Sequence, residues 1–191
     1  MSVADERLLE KVARGLSEPL AGGDPGDSAA QGSILTVSAG VYGARPITDE
    51  TTVPTGFDPQ AAALFEAIVE AAYLVATADG VLDDSEREAF VQVVINACGG
   101  AVDETTVHNL LADLGDQLEE DGLDHRVGAL GSTVNRLEHQ RELLRIAGLL
   151  AHVSGGVSDA ERAVLGKLAG TFQLPASEVD TALAAVKSAL A

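Results

Sequence analysis

The sequence is poor in cysteine and in aromatic residues. Cys98 is the single cysteine, which excludes an intrachain disulfide framework. It follows an apolar helical segment, so we expect a buried and inert thiol. Aromatic residues make up only 3 % of the chain, and there is no tryptophan. The core must therefore be built from Leu, Val, Ile and Ala, which suits closely packed helices.

Basic residues are also scarce. Twelve Lys and Arg stand against thirty Asp and Glu, for a formal net charge of −18. Binding to a nucleic-acid backbone needs basic patches, so we expect no nucleic-acid partner. The charge is typical of a protein that attracts cations or basic partners, or that simply has a solvated acidic surface.

Targeting and catalytic signals are missing as well. No run reaches ~18 uncharged apolar residues, and the first residues lack the basic-then-apolar order of a signal peptide. We therefore expect a cytoplasmic protein with no direct membrane insertion. Phosphate-binding glycine loops, nucleophile elbows, Cys–His pairs and His–His metal spacings are absent, so no catalytic residue is predicted and no enzyme is expected. Among four histidines, His152 is the best placed for a ligand or pH-sensitive role.

The first third of the chain differs in composition from the rest. Residues 1–18 have the apolar spacing of a short amphipathic helix. Residues 19–57 are rich in Gly, Pro and Ser and are typical of a flexible linker. Within the linker, Ile34–Tyr42 is an apolar island that predicts either a strand-like docking peptide or ordinary linker. Through Leu35, Thr36 and Val37 it loosely resembles the short peptides that load cargo into bacterial encapsulin shells.

Residues 58–191 predict an all-α domain of about seven helices. Asp58 and Pro59 are favourable for a helix start, because Asp caps the N-terminus and Pro fits the first turn. Apolar residues then recur at helical spacing in seven segments. These are residues 60–78, 85–97, 103–122, 123–130, 136–153, 159–172 and 176–190, with an interruption expected at Gly131-Ser132-Thr133.

An internal repeat occurs twice, and each copy connects two consecutive helices. Thr77–Arg87 is echoed by His152–Arg162, which aligns Glu86 with Glu161. Asp83 and Ser158 are then the expected N-caps. The two glutamates lie three residues further on, at the spacing of a capping box. Two pseudo-symmetric helix-turn-helix units explain most of the repeat without any function.

Glycine closes the preceding helix in each copy. Gly80 and Gly155 are expected to take a left-handed backbone conformation there.

The same alignment pairs opposite charges on the helices predicted at residues 60–78 and 136–153. Glu66 matches Arg141, and Glu70 matches Arg145. Glu66 would pair with Arg141 or Arg145 across the core, or all four residues would lie on solvated edges.

The first copy also resembles half of a calcium loop. Asp79, the glycine after it and Glu86 match the second half of an EF-hand, but Val75 and Thr77 occupy the positions of its first two ligands. A complete EF-hand is therefore not expected. The carboxylates of Asp79, Asp83 and Glu86 would contribute to a hard-cation site that needs further ligands.

The two copies, Ala76–Glu86 and Ala151–Glu161, together with Leu174-Pro175 before the last helix, resemble the bacterial tellurite-resistance TerB-like proteins. The resemblance spans about residues 57–191. It implies a seven-helix bundle with two pseudo-symmetric halves, in a non-enzymatic cytoplasmic protein linked to stress responses. It also implies divalent-metal binding by acidic residues of the two turns, here Asp79, Asp83, Glu86 and Glu161. The second turn departs from the pattern, because Ser154 stands where an aspartate would match Asp79.

The expected function is a TerB-like binding or scaffold module that acts through protein partners and holds a divalent cation, Ca²⁺ or Mg²⁺. The alternative is an accessory or cargo protein that docks through its N-terminal arm onto a shell, a membrane-associated complex or another protein. The sequence specifies no oligomeric state.

Overall fold

The computed structural model describes residues 3–19, 32–44, 58–80, 82–154 and 156–191. Within these ranges the chain forms nine α-helices and no strand, which confirms the all-α prediction. The helices are α1 (Val3–Ser17), α2 (Ile34–Gly43), α3 (Pro59–Ala76), α4 (Asp84–Ala97), α5 (Glu104–Asp121), α6 (Leu123–Thr133), α7 (Leu137–Leu150), α8 (Asp159–Thr171) and α9 (Ser177–Leu190), with a 3₁₀ turn at Ala151–Ser154.

The interruption expected at Gly131-Ser132-Thr133 is wrong, because α6 continues through Thr133. A Cβ atom added to Gly131 would lie 2.6 Å from the Thr171 methyl carbon. The glycine thus allows α6 to approach α8 closely, and it does not mark a break.

The helices α3 and α7 form the centre of the molecule. They contact one another, and each is buried along most of its length. A helix that is apolar on nearly every face lies inside a bundle, which explains the burial of α3 and α7. By length and composition, α3 is the one helix in the described ranges that could cross a membrane, but 67 % of its apolar window is buried in the core.

The N-terminal helix α1 forms where its amphipathic pattern predicts it. Val12 and Leu16 are fully buried, and α1 contacts α4 and α9. The parts of the expected linker at residues 20–31 and 45–57 lie outside the described residues.

Both alternatives predicted for Ile34–Tyr42, a strand-like docking peptide and ordinary linker, are wrong, because this segment is helix α2. Ser33 caps it by accepting a hydrogen bond from the Thr36 N–H. Leu35 and Ala39, one helical turn apart, are fully buried, and α2 contacts α3. Burial of this apolar stripe outweighs the weak local preference for an extended chain.

A buried ion pair on α7 ties the first two helices to the bundle. The Arg145 guanidinium donates to the Gly15 carbonyl at 2.7 Å and the Glu18 carbonyl at 2.6 Å, which caps the C-terminal end of α1. Glu142 lies 3.6 Å from Arg145 and accepts the Ile34 N–H at the start of α2. Desolvation by burial lowers the pKa of Arg145 and raises that of Glu142. The buried charges of Arg145 and Glu142 are therefore compensated by each other and by backbone groups at the end of α1 and the start of α2.

Arg141, Glu70 and Arg145 take partners that the alignment does not suggest. Arg141 pairs with Glu178, and buried Glu70 pairs with Arg126 at 2.6 Å. The solvated interpretation is wrong for Glu70 and Arg145, which are both buried. Glu70 and Arg145 occupy matched positions but do not pair with each other, because Glu70 contacts Arg126 on α6 and Arg145 contacts Glu142 and the end of α1.

The single thiol is expected to be unreactive in the folded protein. Cys98 is only 4 % exposed, and desolvation raises its pKa to about 12. At pH 8 such a pKa leaves roughly one thiolate in 10,000 molecules, and the thiolate is the reactive form. Iodoacetamide should leave native protein unmodified under conditions that add one label in urea, as read by mass spectrometry. Labelling at equal rates in the two states would contradict the buried position.

Candidate functional site

The candidate site lies where the chain turns after each central helix. Thr77 caps the end of α3, and the turn from Thr77 to Gly80 leads to Asp83 at the start of α4. After α7, the 3₁₀ turn Ala151–Ser154 leads to Ser158 at the start of α8. This 3₁₀ turn contacts both α3 and α4, and α8 contacts α3. The second turn is therefore held against the first helix pair.

Both predicted capping boxes are confirmed. The Asp83 side chain accepts the Glu86 N–H at 2.8 Å, while the Glu86 carboxylate accepts the Asp83 N–H at 2.9 Å. The Ser158 hydroxyl accepts the Glu161 N–H at 3.2 Å, and the Glu161 carboxylate accepts the Ser158 N–H at 2.6 Å. Local sequence thus determines how α4 and α8 begin.

The expected left-handed backbone at Gly80 is wrong. Gly80 does not have a positive φ, and its N–H donates to the Thr77 carbonyl at 3.2 Å. In the second turn, Gly156 has a φ of 116°, and Gly155 lies outside the described residues.

The two capping glutamates differ sharply in burial. Glu86 is half-buried, whereas Glu161 is only 1 % exposed. The Glu161 Oε1 atom is buried and has no hydrogen-bond partner. Desolvation raises the pKa of Glu161, and the charge of Asp79 raises it further, against opposing effects from Ser158 and His152. One turn of the repeat therefore holds a buried carboxylate with a free oxygen, and the other does not.

His152 also lies close enough to Glu161 to affect the pKa of that carboxyl. Its Nδ1 atom lies 2.9 Å from the Gly148 carbonyl oxygen. A carbonyl oxygen only accepts, so Nδ1 must carry the proton in this contact, and Nε2 bears a lone pair when the ring is neutral. Asp79 and His152 both act electrostatically on Glu161. In this tautomer the Nε2 lone pair faces away from the Gly148 contact, so a neutral His152 has the donor atom that its predicted ligand role requires.

The structure brings together only part of the predicted ligand set. Asp79 approaches Glu161 closely enough to affect its pKa. Asp83 and Glu86 use their carboxylates in a capping box at the start of α4. The four predicted ligands do not converge as three or more ligand atoms around one point, as far as the described residues show.

A different cluster does converge, and the sequence reasoning missed it. Side chains of Glu88, Glu104 and His108 offer ligand atoms that all lie within 4.8 Å of one another. The available signal was the Glu104-x-x-x-His108 spacing, which places both residues on one face of a helix. This spacing differs from the His-x-x-x-His pattern, because one of the two ligands is a glutamate.

A family model described as tellurite resistance protein TerB matches residues 65–184. The matched range contains both turns and the whole of α4 to α8. No curated protein and no solved structure matches the chain.

Proposed function

The chain belongs to the tellurite resistance protein TerB family, and on that premise we propose that it is a non-enzymatic binding module with a divalent cation between its two turns. Glu161 is the anchoring ligand, and Asp79 is the second carboxylate. The module works in the cytoplasm, in a response to tellurite or related stress, and acts as a scaffold for protein partners.

The observation that carries the proposal is the free oxygen of Glu161. A buried polar atom without a partner costs about 1–3 kcal/mol, and more when it is charged. Glu161 Oε1 has no partner, while the other carboxylate oxygen is held by Ser158. A cation at Oε1 would satisfy this atom. It would also reduce the repulsion between Glu161 and Asp79.

Calcium fits this site better than magnesium. Two carboxylates supply few of the ligands required, so backbone carbonyls and waters of the turns would complete the shell. Ca²⁺ accepts six to eight oxygen ligands in flexible geometry, whereas Mg²⁺ demands a near-ideal octahedron. The overall charge of −18 further favours cation binding.

A bound cation would join parts of the chain that are far apart in sequence. Asp79 follows α3, and Glu161 belongs to α8. Binding would therefore stabilise the packing of the two helix pairs. A partner that contacts both pairs would then recognise the loaded form.

Docking of a partner through the N-terminal arm is a second candidate with less support. Leu35 and Ala39 of the proposed docking island are fully buried against the bundle. They are not available to a shell or another partner while α2 is packed.

Calcium is expected to bind with one-to-one stoichiometry and to raise the melting temperature. At a hundredfold excess over Kd, a single site adds ~2.7 kcal/mol to the free energy of unfolding. For a chain of this size, that corresponds to a rise of roughly 5–10 °C. Isothermal calorimetry and thermal unfolding would measure both effects. The absence of heat and of any shift at millimolar calcium or magnesium would refute the proposal.

A further inference from the structure

We propose that Glu88, Glu104 and His108 form a second metal site, between α4 and α5, that takes a borderline transition-metal ion of the Zn²⁺ class. His108 Nε2 lies 3.3 Å from a Glu88 oxygen and 3.9 Å from a Glu104 oxygen. The imidazole thus faces one carboxylate from its own helix and one from the neighbouring helix. This site shares no residue with the site at Glu161.

Helix geometry preorganises two of the three ligands. Glu104 and His108 are four residues apart on α5, so their side chains lie on the same face one turn apart. Asp103 caps α5 by accepting the Thr106 N–H at 2.8 Å, which fixes the turn that carries Glu104. The pair therefore needs only side-chain rotation to close on an ion.

The third ligand is oriented by a neighbour on α4. Gln92 donates a hydrogen bond to the Oε1 atom of Glu88 at 2.9 Å, while Oε2 faces His108. Outer hydrogen bonds of this kind hold a ligating carboxylate in position and tune its metal affinity. Gln92 is accordingly a positioning residue for the site.

The donor set selects the class of metal. One imidazole nitrogen and two carboxylate oxygens suit Zn²⁺ and its neighbours, whereas Ca²⁺ and Mg²⁺ prefer oxygen ligands only. The three side chains are 36 % to 60 % exposed, so water can supply the fourth ligand of a tetrahedral ion. The chemistry therefore differs from that of the hard-cation site.

The competing interpretation is an exposed cluster of hydrogen bonds and ion pairs that holds no metal. In that case the cluster would have no affinity for metal, and zinc would leave His108 unaffected. The two interpretations predict opposite results in a zinc titration.

The test is calorimetric titration of zinc chloride into the full chain at pH 7.5, in a Glu161→Gln background that removes the other site. His108→Asn should weaken the one-to-one binding by more than the ~10–100-fold that loss of an outer partner costs, and Gln92→Ala should weaken it about tenfold. The control His125→Asn changes an exposed histidine on α6 and should bind like its parent.

Cobalt absorption and the imidazole signals of His108 provide a second readout. Zinc should shift those signals, and cobalt should give a visible spectrum that His108→Asn abolishes. Equal zinc affinity in His108→Asn and its parent, or no binding at micromolar zinc, would overturn the proposal. Neither result would bear on calcium binding, which is measured in the protein with Glu161 intact.

Discussion

Replacing Glu161 by glutamine is expected to abolish the calcium response and to stabilise the metal-free protein. Glutamine has the same shape as glutamate and can still accept the Ser158 N–H, so the capping box survives. The buried negative charge beside Asp79 disappears, and with it the oxygen that would bind the cation. Calorimetry should show no calcium binding, while urea unfolding without metal should show a higher free energy than in the parent.

The pH dependence gives the sign of this effect. The pKa of Glu161 is raised by folding from a reference value of 4.5, so the folded state holds its proton more tightly than the unfolded state. The metal-free parent must therefore lose stability as pH rises from about 4.5 through the folded pKa. Glu161→Gln does not undergo this loss. The difference in the free energy of unfolding between the variant and the parent should therefore increase from about pH 4.5 to the folded pKa and stay constant above it.

The matched control is Glu119→Gln, which makes the same change at an exposed position on α5. It should leave calcium binding intact and change stability by no more than ~0.5 kcal/mol. Undiminished calcium binding in Glu161→Gln would show that the cation site lies elsewhere. Lower metal-free stability in that variant would show that the buried charge is compensated in the native protein.

Replacing Arg145 by methionine is expected to cost about 3–5 kcal/mol of stability, the range found when one partner of a buried ion pair is removed. Methionine retains much of the apolar stem but none of the donors. The Gly15 and Glu18 carbonyls would lose their hydrogen bonds, and Glu142 would remain buried without its counter-charge. Urea unfolding would measure the loss. Hydrogen exchange should report the largest local change in α1 and at the Ile34 amide.

Arg141→Met is the control, one helical turn earlier on α7. Arg141 is 43 % exposed and pairs with Glu178, so its loss should cost no more than ~1 kcal/mol. Equal losses in the two variants would mean that Arg145 does not hold the N-terminal helices. Unchanged exchange in α1 would lead to the same conclusion.

Elements with strong local signals were the most predictable. The seven helices after residue 58 appear close to their expected positions, because their apolar spacing and capping residues act over a single turn. Both capping boxes belong to this class. The predictions failed where contacts between segments distant in sequence decide the local structure. Gly131 serves close helix packing, and Ile34–Gly43 becomes a helix because its apolar stripe is buried on α3.

The sequence by itself determined the all-α class, the TerB resemblance and the repeated helix-joining turn. These depend on periodicity, capping and motif spacing, all of which are local. Only the tertiary structure distinguishes Glu161 from Glu86, because the two residues have the same capping role but very different burial. It also placed Arg145 beneath α1 and assembled Glu88 with Glu104 and His108. Desolvation and convergence across helices depend on how distant segments pack, and neither is a property of local sequence.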